Sequence, residues 1–133
     1  MARGRALLMA ALMAAMLSLP VSVSAYDSGG IEASESQVAM IPSTGLSVGD
    51  SATFYLTLTN TQQSEANNVG YAFYKNQYSA NNPFLQNVID IQGDSSETVS
   101  VVWEGLLESD DKLWISFEYP RNSGNQQIFF VEF

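Results

Sequence analysis

The stretch from Val48 to Asn60, VGDSATFYLTLTN, decides the fold. Taken two residues at a time from Ala52, it puts Ala52, Phe54, Leu56 and Leu58 on one side and Ser51, Thr53, Tyr55, Thr57 and Thr59 on the other. That is the alternation of a half-buried antiparallel strand, because successive side chains of an extended chain point to opposite faces. A lone strand or hairpin is marginal in water, so other runs of the chain must form sheets that cover its apolar side.

Those runs lie on both sides of it. Gln37 to Ile41 is a short strand stopped by Pro42, which suits an edge because proline cannot donate to a ladder. After the polar loop Thr61 to Asn68, alternation resumes with Val69, Tyr71 and Phe73 against Gly70, Ala72 and Tyr74. Asn76 to Pro83 is a loop or wide turn. Phe84 to Ile91 mixes the helical and extended periods, and its β-branched content and the following Gly93-Asp94 turn make it a strand. Glu97 to Glu104 sets Val99, Val101 and Trp103 on one face; Lys112 to Tyr119 sets Leu113, Ile115 and Phe117 on one face and Trp114 on the other. The breakers Pro120 to Gly124 precede a closing strand, Gln126 to Phe133, whose more uniformly apolar face is Phe129, Val131 and Phe133. No convincing helix appears after residue 25. About seven short strands separated by turn clusters predict an all-β, immunoglobulin-like antiparallel β-sandwich, with a closed barrel as the alternative.

The first 25 of the 133 residues read separately. Arg3 and Arg5 precede an apolar and small-residue run from Ala6 to Leu19, Pro20 breaks it, and Val23-Ser24-Ala25 ends it, the pattern of a secretory signal peptide over residues 1–25. An uncleaved anchor helix is one alternative. Another cuts after Arg5-Ala6 and keeps Leu7 to Val23 as the helix of a pilin-like filament subunit. Residues 26–36, polar and containing Gly29 and Gly30, read as a flexible leader, and residues 37–133 as the sandwich domain. A domain of this size buries roughly 65% of its unfolded surface, enough for a core without staples. The chain has no cysteine, so an exported protein here depends on packing alone.

All 14 acidic residues follow residue 25, where only Lys75, Lys112 and Arg121 oppose them, for a net charge of −11. Such a field repels nucleic acid and anionic membrane surfaces. With no histidine and no cysteine, the usual general bases, thiolates and zinc ligands are missing, and the expectation is a protein that is not an enzyme.

Gly49-Asp50 before TFYLTLTNT, then Asn68-Val69 leading to Tyr71 and Phe73, then Gly93-Asp94 before TVSVVWEG, resembles the CARDB (cell-adhesion-related) domains. These are immunoglobulin-like modules of bacterial and archaeal surface and secreted proteins. The resemblance spans roughly Leu46 to Glu118. It implies that Val99, Val101 and Trp103 form the inward strand whose tryptophan packs the core, and it brings no catalytic residues. CARDB-like modules usually occur in tandem or attached to larger proteins, whereas a single one is read here.

Two constellations remain as candidate sites. If Leu113, Ile115 and Phe117 point inward, Trp114 points out, and the same period turns Tyr74, Ile128 and Phe130 outward from their strands. In an immunoglobulin-like order these three strands are neighbours, so Tyr74, Trp114, Ile128 and Phe130 form an apolar patch on one outer surface, unless the Asn76 to Pro83 loop or the leader covers it. The second group is acidic: Glu104, Glu108, Asp110 and Asp111 between two strands, which read as a solvated turn with its charges facing water or as oxygen ligands for a weak Ca²⁺ site that lack calcium-loop spacing. No other cofactor is expected. The sequence therefore predicts a non-enzymatic secreted or cell-surface module that works by protein contact, with another protein or by self-association, in adhesion, envelope or assembly. The alternative is a carbohydrate- or calcium-binding module.

Overall fold

A computed structural model describes residues 25–43, 45–47, 49–79, 81–105 and 111–132. The expected signal peptide and pilin-like helix lie outside the described residues, apart from Ala25. The stretch read as central is a strand, Ala52–Asn60, whose residues alternate buried and half-buried along its whole length. In chain order the strands are β1 (Tyr26–Ser28), β2 (Ile31–Ala33), β3 (Val38–Ile41), β4 (Ala52–Asn60), β5 (Ala66–Lys75), β6 (Leu85–Ile91), β7 (Ser95–Trp103), β8 (Lys112–Glu118) and β9 (Gln127–Glu132). One turn of 3₁₀-helix, Glu35–Gln37, separates β2 from β3.

Two antiparallel sheets result. In the first, β4 is central, with β7 along one edge from Ala52↔Trp103 to Asn60↔Ser95. Its other edge is shared by β3, paired with the first half of β4, and by β2, paired with its end. The second sheet runs β9-β8-β5-β6. This division, with the first, second and fifth main strands in one layer and the rest in the other, is the immunoglobulin-like sandwich. The sheets are separate layers rather than a closed barrel. Val99, Val101 and Trp103 point inward, as do Leu113, Ile115 and Phe117, and these meet Phe54, Leu56, Leu58 and Phe73 in one core.

Two expectations are corrected here. Residues 26–36 are not a flexible leader: β1 and β2 form a hairpin paired onto β4, and Ile31 and Ala33 are wholly buried. Gly29 and Gly30 both adopt positive φ, the conformation a two-residue hairpin turn demands. A Cβ on Gly29 would collide with the Tyr119 carbonyl oxygen, so glycine is required there on two counts. The hydroxyl of buried Ser28 accepts from the Tyr119 N–H at 2.8 Å, tying the hairpin to the end of β8. Tyr26 stacks on Phe129 at 4.7 Å and closes the core at that side.

The second correction is where β5 begins. It starts at Ala66, inside the expected polar loop, and a bulge between Ala66 and Val69 leaves Asn67 and Asn68 exposed and returns Val69 to the core. Asn68 has φ +60°, and its N–H donates to the Asp90 carboxylate at 2.8 Å. The hairpin strands bring the number described to nine rather than about seven.

Candidate functional site

The outer surface of the second sheet is built in rows by its register. Phe130 lies opposite Trp114, and Trp114 opposite Tyr74; Ile128 lies opposite Ser116, and Ser116 opposite Ala72. The structure thus brings Tyr74, Trp114, Ile128 and Phe130 together on one outer face, as the two-residue period requires. It does not leave them equally open. Tyr74 is only 3% exposed, which corrects its place in an exposed patch.

The cover is the segment after β5. Asn76 sits at φ +63°, a left-handed conformation that asparagine tolerates better than most residues. It is clipped to β8 by three bonds. Its N–H donates to the Lys112 carbonyl (2.8 Å), its side-chain oxygen accepts from the Lys112 N–H (2.8 Å), and its carbonyl accepts from the Trp114 indole N–H (3.1 Å). This turns the chain back across the sheet. Tyr78 then meets Tyr74 edge-on at 4.8 Å, and its hydroxyl donates to the Gln126 side chain at 3.2 Å. Beneath it Tyr74 shares a 3.1 Å hydrogen bond with buried Ser116. Burial raises the Tyr74 pKa above its ordinary value; the Ser116 bond acts against that rise and Tyr78 adds to it.

Beyond Tyr78 the surface is open. Ile128 and Phe130 are 36% and 38% exposed, and Trp114 is half-buried with its ring 4.8 Å from Phe130. Lys112 lies 5.7 Å above the Phe130 ring and 3.9 Å from the Glu132 carboxylate. The strand carrying Ile128 and Phe130, β9, pairs with β8 and forms the border of its sheet. Sequence reasoning missed Asn76 and Tyr78. The available signal was an asparagine directly after a strand, a residue suited to turning the chain out of it.

A second feature lies at the end of the sandwich where β5 stops. An open cleft of about 400 Å³ is lined by Lys75, Gln77, Ser79, Asn82, Pro83 and Phe84. The Lys75 ammonium stands 5.0 Å above the Phe84 ring and 5.4 Å above that of Trp103. The expected acidic site fares less well. Glu108 and Asp110 lie outside the described residues, Glu104 is exposed and Asp111 is buried. Among the described residues, no three acidic side chains gather as a metal cage. Among the same residues, no helix is long and apolar enough to cross a membrane.

No protein-family model and no curated protein matches the chain. Among solved structures, the solution structure of GmR58A from Geobacter metallireducens is similar, with a TM-score of 0.53 and 18% identity over 72% of this chain and 90% of that one. At that identity the likeness is one of fold. A β-glucosidase from Listeria innocua, solved in complex with isofagomine, matches with a TM-score of 0.40 and 14% identity over 71% of this chain. The match spans 15% of that enzyme.

Proposed function

We propose that this domain is a non-enzymatic module of a secreted or cell-surface protein that works by protein contact, as its resemblance to the CARDB domains implies. The supporting observation is the exposed Ile128 and Phe130 beside Trp114, on a strand that borders its sheet. In a strongly acidic chain, large apolar side chains held open to water are costly, and such surfaces mark places where partners bind. The lack of histidine and cysteine in the chain supports a binding role over a catalytic one.

The test is a photoreactive benzophenone side chain placed at position 130 in the native host. Contact through this face gives adducts of discrete mass from position 130 and none from position 57, on the opposite sheet. A clean chain from both positions would overturn the reading.

A second reading, a small-ligand module for carbohydrate, draws on the cleft. Gln77, Ser79 and Asn82 offer hydrogen bonds and Phe84 an apolar wall, the mixture that sugar rings require. The platform of Tyr74 with Trp114 does not serve, because Tyr78 lies over Tyr74. Glycan arrays separate the two readings: a specific sugar signal lost in Phe84→Ala and kept in Phe130→Lys favours the cleft, and no signal on any glycan removes it.

A further inference from the structure

We propose that the partner of this surface is a second copy of the chain, and that two copies join antiparallel through β9, merging two four-stranded sheets into one. The inference rests on the contact reading above and supplies its partner.

Among the described residues, the two sheets have five edge strands between them. A bordering strand offers unpaired N–H and C=O groups to any extended chain, and stable folds blunt such edges. Here β3 runs into Pro42 and β1 is three residues long. In β6 the Asn87 side chain takes the N–H of Val88 at 2.8 Å, and its partner β5 is bulged. On its outward face β7 carries Ser96, Thr98 and Ser100 with a single valine, Val102. The remaining edge, β9 with its sequence QIFFVE, has no proline, no bulge and large apolar residues on both faces.

Charge then sets the cost of bringing in a second copy. The whole chain carries −9, so two copies repel over most of their surfaces. In β9 the sole acidic residue is Glu132, and Lys112 sits beside it. Lys112 thus offsets the charge of β9 itself, while Glu35, on the 3₁₀ turn that lies beside β9, adds one acidic group to what a second copy meets.

The strip also complements itself. In a two-fold pair the same patch meets itself, and antiparallel pairing with Phe129 opposite Phe129 keeps outward residues opposite outward residues. Ile128 of each copy then faces Phe130 of the other, and Glu132 faces Gln126 rather than a second Glu132. Shifting by two residues to set Phe130 against itself would place Ile128 against Glu132, an apolar side chain against a charge. Because only a six-residue strand is shared, the contact is smaller than the ~1,600 Å² of a standard interface, so association depends on concentration.

The chain lacks cysteine, so introduced thiols report contact directly. Full-length Ile128→Cys and Phe130→Cys chains, each checked for retained β structure by circular dichroism, are oxidised separately and as a mixture. Paired residues in antiparallel strands lie within disulfide reach, so the expected result is a cross-linked dimer formed several-fold more in the mixture than in either alone. Sedimentation of the unaltered chain should show the same dimer, strengthened by salt and lost in Phe130→Lys. Absence of the mixed disulfide at concentrations where a Val102→Cys control also gives none overturns the proposal, and equal yields from every combination mark random collision and overturn it too. An adduct from position 130 with a different protein, without copy-to-copy disulfide, overturns self-pairing and leaves the contact reading standing. Absence of both results overturns both.

Discussion

Asn60 occupies the last inward position of β4, where the alternation calls for an apolar side chain. It is wholly buried, and its amide is fully used. The NH₂ group donates to the carbonyls of Ser64 (2.9 Å), Ile91 (3.0 Å) and Gln92 (3.3 Å), while the side-chain oxygen accepts from the Gln62 N–H (2.9 Å). One side chain thus holds the turn after β4 against the end of β6, in the absence of any disulfide. Asn60→Ala strands several backbone groups without partners, and chemical denaturation should show a loss of about 3 kcal/mol. Tyr74 gives a pH prediction at the same scale. Burial raises its folded pKa above the ordinary 10.0, so the unfolded chain ionises first. The stabilising contribution is complete below pH about 10 and drains away as pH rises through the folded value. Tyr74→Phe should therefore flatten the alkaline limb of the stability curve measured by urea titration.

At the scale of elements, the β1–β2 hairpin behaves as part of the core rather than as an appendage. Its strands are too short to show a period, and a Gly-Gly pair in a polar run reads equally as flexibility. Tertiary contact decides between the two, because Ile31 fits between the sheets with no exposed surface. Ile31→Ala should cost about 3 kcal/mol in denaturant unfolding, whereas a loose leader would lose nothing. The Asn76 clip is the second element with a consequence. Replacing Asn76 with alanine removes the bond to the Lys112 N–H and strains the left-handed backbone, for a loss of about 1–2 kcal/mol. With the segment loosened, the Trp114 indole loses its bond to the Asn76 carbonyl and meets water. Tryptophan emission should shift to the red, and an unchanged spectrum would argue against the clip.

For the molecule as a whole, the governing quantity is charge. Fourteen acidic side chains against five basic ones, with a single salt bridge among the described residues, leave the folded state under self-repulsion. Raising salt towards 1 M shortens the screening length to about 3 Å, and Tm should rise by about 5 °C. A Tm that falls would mean the acidic groups are favourably paired in the fold. The same screening should strengthen pairing through β9, so stability and association should move together.

The residues alone determined the layering. Strict alternation in Ala52–Asn60 and in the runs around Val101 and Ile115 assigns each side chain to a face, because the pleat of an extended chain leaves only two directions. That suffices to place Trp103 inside, and to set Trp114 and Phe130 on an outer surface, before any contact is known. Tertiary structure decided what covers each face. Whether Tyr74 meets water depends on a segment four residues further on, which Asn76 folds back over the sheet, and whether Ile31 is leader or core depends on β4. Periodicity is local and reports only direction, while exposure is set by whatever distant part of the chain comes to lie on top.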